Sequence, residues 1–405
     1  MEKTYIYTLT SELHDGNAIE VATHHLLDDL SIDYVYRGSD YSDYGKNGLS
    51  IIYVRTGGTE GKFLKLFQTL KEQTSQPFYL LASNNSNSLA ASMEIMSFLR
   101  QQGQKGEIIH GTREYVNHRI TELVSVAEAI KRLNGCRLGV IGTPSDWLIS
   151  SQTDNGVVLK WLGIDLIDIP IDELIEDIRR IGPQKSHLTS DALSVKKALP
   201  VAESVYVSLK NIISKYKLNG FSLRCFDLLT SVSNTGCLAL ARLNSEGFVA
   251  GCEGDVPAML SMMIARSLTG VSGFQANPAS IDPVKGQMVF AHCTIPLNMV
   301  SDYELDTHFE SGIGVAIRGH MNEGPVTLFK ISGNLERAFI AEGTLVRNQM
   351  EPDFCRTQQV IRLGNPALSN YFLSNPIGNH HIVIPGHVER LIRDFITTVL
   401  PKCSL

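Results

Sequence analysis

Three places in the second half of this chain carry side chains that can hold a divalent cation. They are the carboxylates of Gly251-Cys-Glu-Gly-Asp255, His292 at the end of a strand-like run, and the pair His380-His381 ahead of Ile382-Val-Ile384. Carboxylate oxygen and imidazole nitrogen together suit an ion such as Mn²⁺. A lone histidine on a strand is usually a hydrogen-bonded structural residue, so the argument rests on the set and not on any one member. Neighbouring strand residues point to opposite faces, so only one of His380 and His381 can enter a given site.

Further polar groups fall where strands give way to helices, which is where open α/β sheets bind ligands. Arg55-Thr-Gly-Gly-Thr-Glu-Gly61 follows a strand and precedes a helix, so its backbone N–H groups, with Arg55, Gly57 and Gly58, are candidates for an anion-binding concavity. It is not a Walker A loop, because no Lys-Ser or Lys-Thr follows. Ser83-Asn-Asn-Ser-Asn-Ser88 offers Asn85 to a substrate, or simply caps a helix. Trp147 in Gly142-Thr-Pro-Ser-Asp-Trp-Leu-Ile149 either stacks on a ligand or belongs to a core.

These residues sit on a readable framework. Thr4–Leu9, Ile32–Tyr36, Ser50–Arg55 and Phe78–Ala82 are β-rich runs separated by helical segments at 17–30, 60–73 and 88–102, the grammar of a parallel sheet with crossover helices. An amphipathic helix near 116–133 leads to a second βα unit with strands at 137–142 and 164–169, a long helix over 189–217 and a strand from Gly220. A helix over Val256–Leu268 is marked by Asp255 as N-cap and Pro257 in its first turn. From Gln287 the chain reads as short strands punctuated by Gly, Asn and Asp, closed by a helix near 387–400. The predicted fold is α/β: two parallel-sheet Rossmann-like domains, 1–117 and 118–283, followed by an antiparallel β domain with a final helix, 284–405.

Composition narrows the function. Lys plus Arg number 36 against 42 Asp plus Glu, a net charge of −6, with no basic block, which argues against a nucleic-acid or anionic-membrane partner. Apolar runs fall far short of the ~20 residues of a membrane span. No secretory signal opens the chain, so a cytoplasmic location is expected. Seven cysteines without a CxxC pair read as reduced thiols, most of them small core residues.

The run Gly251-Cys-Glu-Gly-Asp-Val-Pro-Ala258, then Gly273-Phe-Gln-Ala-Asn-Pro278, Val289-Phe-Ala-His-Cys293 and Gly378-Asn-His-His-Ile-Val383, resembles in order and spacing the carboxy-terminal half of the L-fucose and L-arabinose isomerase superfamily. The resemblance implies two α/β domains and a β domain, Mn²⁺-dependent interconversion of an aldose and a ketose, and assembly into homo-oligomers, trimers or hexamers. By resemblance, Glu253 is a metal ligand and base, His292 a metal ligand, and His381, with His380 as the alternative, the last metal ligand. His380 is otherwise left to the substrate, and Asp255 is offered as a proton carrier.

Moving a carbonyl from C1 to C2 through an enediol needs a base, an acid and a cation holding the two oxygens, which accounts for these residue types. The sequence departs from the family at the second carboxylate, where Asn277 stands. An amide there makes the cluster one unit more positive and favours an acidic sugar, whether phosphorylated, sulfonated or carboxylated. Arg224, three residues before Asp227, is the leading candidate to meet such a substrate, with Arg318 and Arg356 behind it. The competing reading is an isomerase-derived sugar-binding regulator, or an epimerase, with an altered metal site.

Overall fold

The computed structural model describes residues 3–14, 16–400 and 402–405, which form two compact units divided after Lys131. The first unit holds strands β1 (Thr4–Leu9), β2 (Tyr34–Gly38), β3 (Leu49–Val54), β4 (Phe78–Ala82) and β5 (Gly106–Ile109), all parallel, in the order β2-β1-β3-β4-β5. Helices α1 (Gly16–Asp29), α2 (Glu60–Gln73), α3 (Ser88–Gln101) and α4 (Arg113–Leu133) connect or follow them. β3 and β4 are buried at every position, as expected for strands covered on both faces. One face packs Phe63, Phe67, Leu70 and Leu99, and the other Leu27, Ile120 and Leu123.

The second unit opens with a parallel sheet of β6 (Arg137–Ile141), β7 (Asp165–Ile169), β8 (Gly220–Leu223) and β9 (Val249–Cys252), ordered β7-β6-β8-β9. Its helices are α5 (Asn155–Leu162), α6 (Ile171–Ile181), α7 (Leu193–Tyr216), α8 (Asp227–Ser231), α9 (Cys237–Ser245) and α10 (Val256–Thr269). Asp255 caps α10 by accepting the Ala258 N–H, Pro257 stands in the first turn, and Gly270 ends the helix. Almost every residue of α10 is buried, because it lies between the sheet and the elements that follow.

Those elements are β10 (Phe274–Asp282), β11 (Gln287–His292), β12 (Asp302–Asp306), β13 (Ala316–His320), β14 (Gly324–Ile331), β15 (Ala338–Asn348), β16 (Thr357–Leu363) and β17 (His381–Pro385), with helices α11 (Ser369–Ser374) and α12 (Glu389–Val399). Six of them close an antiparallel barrel, β10-β11-β16-β15-β14-β17, and β12 and β13 form a separate hairpin. Phe274, Phe290, Leu328, Phe339, Ile361 and Val383 are among its packed interior residues.

The fold is thus the expected succession of two parallel Rossmann-like sheets and an antiparallel β structure. Its divisions differ from the expected ones. α4 runs unbroken through residue 117, and the barrel begins with β10, ahead of residue 284. The second sheet and the barrel lie in one unit, because α10 packs on strands of both. Among the described residues no helix is long and apolar enough to cross a membrane.

Candidate metal and substrate site

The second unit gathers polar side chains where β6, β8 and β9 end and where barrel strands begin or finish. β9 stops at Cys252, and Glu253 then takes a left-handed conformation, φ +64°, followed by Gly254 at φ +68°. A side chain at 254 would meet the Thr143 carbonyl oxygen at 2.5 Å, so only glycine fits. A left-handed non-glycine residue costs about 1–2 kcal/mol. The tight turn lets the Glu253 carboxylate project forward while Asp255 starts α10.

Glu253, His292 and His380 offer one ligand atom each, all within 4.8 Å of one another, and all three residues are buried. His292 Nε2 lies 3.6 Å and His380 Nε2 3.4 Å from Glu253 Oε1. His380 Nε2 is buried without a hydrogen-bond partner. These spacings approach the roughly 3 Å between neighbouring donors that each stand about 2.1 Å from one ion. A buried orphan nitrogen beside a carboxylate and a second imidazole is a donor set that fits a divalent cation.

Each ligand atom is held from behind. His380 Nδ1 donates to Asp255 Oδ2 at 2.9 Å, and Lys330 Nζ reaches the same oxygen at 3.4 Å. His292 Nδ1 meets Thr294 Oγ1 at 3.0 Å, and Trp147 Nε1 donates to Glu253 Oε2 at 2.7 Å. Such supporting bonds fix ring orientation and tautomer.

Burial alone would raise the Glu253 carboxyl, but the positive charge of His380 and the His292 ring outweigh it and hold the group well below the usual carboxylate range. Asp255 follows the same pattern: burial opposes ionisation, and Lys330 with His380 overcomes it. Burial would likewise lower His380, yet the Glu253 charge and the Asp255 hydrogen bond push it up to about 9. Burial drives Lys330 below the ordinary lysine value against the pull of Asp255.

A cleft opens beside this cluster, lined in part by Glu253, His292, Asn277, Phe226, His308 and Glu310. Phe226 stands edge-on to Trp147 with ring centroids 4.8 Å apart, and to His308 at 5.5 Å. Asn277, where a carboxylate was expected by resemblance, reaches the cleft from β10.

Several expected roles need correction. His381, not His380, was favoured as the last ligand. Its Nδ1 donates to the Asn379 carbonyl at 3.0 Å, and its Nε2 accepts from the Tyr371 hydroxyl at 3.0 Å, so both nitrogens are used. Its ring sits among Phe290, Phe339 and Phe372 in the barrel. Burial, reinforced by the Lys330 charge, lowers it to about 3 and keeps it neutral. Strand alternation turns the preceding residue, His380, to the other side, toward Asp255. Asp255 itself is fully buried, with Oδ1 on the Ala258 N–H and Oδ2 on His380 and Lys330, so it orients His380 and is not placed to exchange protons with a substrate.

Arg224 spends its guanidinium on Asp227, Asp146, Thr143 and the Pro144 carbonyl, tying the loop after β6 to the loop after β8. Asp227 is consumed in the same network. Arg318 and Arg356 share Asp306, at 2.7 and 3.2 Å. Among the described residues, none of the three arginines and no lysine lines the cleft.

Four expected substrate residues lie in the first unit, after β3 and β4. Arg55 bonds to Thr10, Glu20, Thr23 and Tyr36. The Gly57 N–H donates to the Ser86 carbonyl at 2.7 Å, Gly58 has φ +73°, and Asn85 is an exposed turn residue whose carbonyl accepts the Ser88 N–H. Arg55 and the Gly57 amide are therefore committed to the fold of that unit.

Sequence reasoning missed Lys330, His308, Glu310 and the thiols of the cleft. Lys330 lies in the apolar run Val326–Ile331 and carried the one available signal, a charge at a core-facing position of a strand.

The fold and the cluster together define a class: an α/β and barrel scaffold with a buried carboxylate and two imidazoles, of which Glu253 and His292 border a cleft. No family model matches the chain. It is similar to proteins named sulfoquinovose isomerase from Priestia aryabhattai and Priestia megaterium, each 24% identical over 303 residues, 69% of this chain and 67% of the relative. A third so named, from a Clostridium species, is 26% identical over 193 residues, 44% of this chain and 42% of its own.

Proposed function

We propose that the protein is a divalent-metal-dependent aldose–ketose isomerase acting on an acidic sugar, with a sulfonated aldose such as sulfoquinovose as the first candidate. The observation that carries this reading is the buried Glu253, His292 and His380 cluster around an unpartnered imidazole nitrogen, opening on a cleft. The named relatives support the reaction and the substrate class.

Glu253, His292 and His380 would hold the cation, and Asn277 lines the adjoining cleft. When bound, Mn²⁺ or a similar ion supplies a Lewis acid for two neighbouring sugar oxygens and offsets the negative charge that develops during enolisation. This chain's residues do the rest. Trp147 holds one Glu253 oxygen and leaves the other directed at the imidazoles. The proton leaving C2, beside the aldose carbonyl, would pass to a carboxylate of the cleft and return to C1 while the C2 hydroxyl proton moves to the C1 oxygen, giving the ketose through an enediol. Among the described residues, Glu253 and Glu310 are the two carboxylates that line the cleft. Glu310 fills in function the place that Asn277 leaves without charge.

Among the described residues, the acidic end of the sugar finds no arginine or lysine in the cleft lining, and the arginines nearby in sequence are paired. The acidic-substrate part of the reading therefore rests on the named relatives. A direct assay decides the reading: sulfoquinovose, glucose and L-fucose are each incubated with the Mn²⁺-loaded protein and ketose is measured. Turnover of sulfoquinovose above both neutral sugars supports it; metal-independent turnover, or turnover of none, rejects it.

A further inference from the structure

Five of the seven cysteines line the cleft beside Glu253: Cys225, Cys237, Cys252, Cys293 and Cys355. The proposed sugar chemistry uses none of them. Two stand out by geometry. Cys252 is the last residue of β9, Leu223 is its partner on β8, and Cys225 follows two residues later, so adjacent parallel strand ends bring their side chains together. The two Sγ atoms lie 3.0 Å apart, both thiols are free, and both residues are buried except where they border the cleft.

We propose that Cys225 and Cys252 form an oxidisable dithiol, which a hydroperoxide small enough to enter the cleft joins in a reversible disulfide that disables the Glu253 cluster. One sulfur attacks the peroxide, the O–O bond breaks, and a sulfenic acid forms as the leaving oxygen takes up the thiol proton and departs as water or alcohol. The second sulfur then attacks the sulfenic sulfur, the S–O bond breaks, and the departing hydroxyl takes the second thiol proton as water. Two thiols and one peroxide thus give one disulfide, one water and one further water or alcohol.

The link has little distance to cover. A disulfide holds its sulfurs about 2.05 Å apart, so the pair must close by roughly 1 Å. That movement cannot be absorbed freely around Cys252. Its N–H donates to Gln275 Oε1 at 2.8 Å, and its carbonyl accepts from Gln275 Nε2 at 3.2 Å and Ser222 Oγ at 3.4 Å. The next residue is Glu253 in its left-handed turn, whose carboxylate must meet two imidazoles. Ligand sets tolerate displacements of only about 0.5 Å, so pulling on Cys252 misplaces the carboxylate.

The test treats reduced protein with hydrogen peroxide and reads two quantities, the disulfide and Mn²⁺ affinity, before and after dithiothreitol. Tryptic peptides 225–242 and 243–266 carry the two cysteines, and because the first also holds Cys237, fragment ions must place the bond at Cys225. The expected result is a Cys225–Cys252 link, loss of two free thiols, and a fall in Mn²⁺ affinity of about tenfold or more that dithiothreitol reverses. Cys225→Ala and Cys252→Ser, each compared with its own untreated sample, should form no such link and show no reversible loss. The proposal is overturned by the absence of the link, by links among Cys237, Cys293 and Cys355 in its place, by a link that leaves Mn²⁺ binding unchanged, or by an equal loss in Cys225→Ala. Reduced protein that takes up no Mn²⁺ would reject the metal reading, whereas the mapped disulfide still decides whether the dithiol exists.

Discussion

Replacing Lys330 by Met removes a charge that is 1% exposed and leaves Asp255, wholly buried, with one cation fewer. At 3.4 Å the pair attracts by about 5 kcal/mol for an effective dielectric near 20. Desolvation offsets part of that gain, but breaking a buried pair by deleting one partner still costs about 3–5 kcal/mol. His380 also faces Asp255 and relieves some of the uncompensated charge, so the lower end, about 3 kcal/mol, is expected. For a unit of this size that lowers Tm by roughly 5 °C. Asp255 retains its hydrogen bond to His380, so Mn²⁺ affinity should change less than tenfold in Lys330→Met. Asp255→Ala, which frees the ring, should lower it by about 10–100-fold. Urea unfolding of Lys330→Met, Asp255→Asn and the double variant gives the coupling directly. A coupling of at least about 1 kcal/mol is expected between residues in contact. Additive losses, or a Lys330→Met protein within about 0.5 kcal/mol of wild type, would refute the buried-pair argument.

Other variants separate the two adjacent histidines. His380→Ala should abolish stoichiometric Mn²⁺ uptake measured by elemental analysis, while His381→Gln should retain it and unfold at lower urea. His381 has a folded value of about 3, below its unfolded value near 6.5, so its contribution to stability is present above pH 6.5 and is lost as pH falls. Urea titrations at pH 7, 6 and 5 should lose up to about 1.4 kcal/mol per pH unit below 6.5 from this group. An equally steep loss in His381→Gln would contradict the assignment. Trp147→Phe removes the indole bond to Glu253 but keeps the ring packed on Phe226. A fall of roughly fivefold in kcat/KM, corresponding to about 1 kcal/mol, is expected in a steady-state assay.

The parallel sheets were legible because β1, β3 and β4 are short, continuous apolar runs between amphipathic helices. α10 was legible from Asp255 and Pro257 at one end and Gly270 at the other. β10 was not read as a strand, since Asn277-Pro278 and Ser280 interrupt its apolar pattern; it is held by pairing with β11 and β17, which lie further along the chain. The site was legible in its residue types but not in its handedness. Choosing between His380 and His381 requires knowing where β17 starts and which face meets α10. Arg224 reads identically as an anion anchor or a loop clamp until Asp146, 78 residues away, is seen beside it. The thiols of Cys225 and Cys252 were ordinary core candidates until strand order made their elements neighbours.

The central claim is that Glu253, His292 and His380 form a cation site at which an aldose becomes a ketose. It is tested most directly by following sulfoquinovose in D₂O by proton NMR, with protein stripped by chelator and then reloaded with Mn²⁺. No conversion is expected in the stripped protein, conversion to the ketose with exchange at the carbon beside the carbonyl is expected after reloading, and neither is expected in Glu253→Gln or His380→Ala. Conversion that survives chelation, or that persists in both variants, would contradict it.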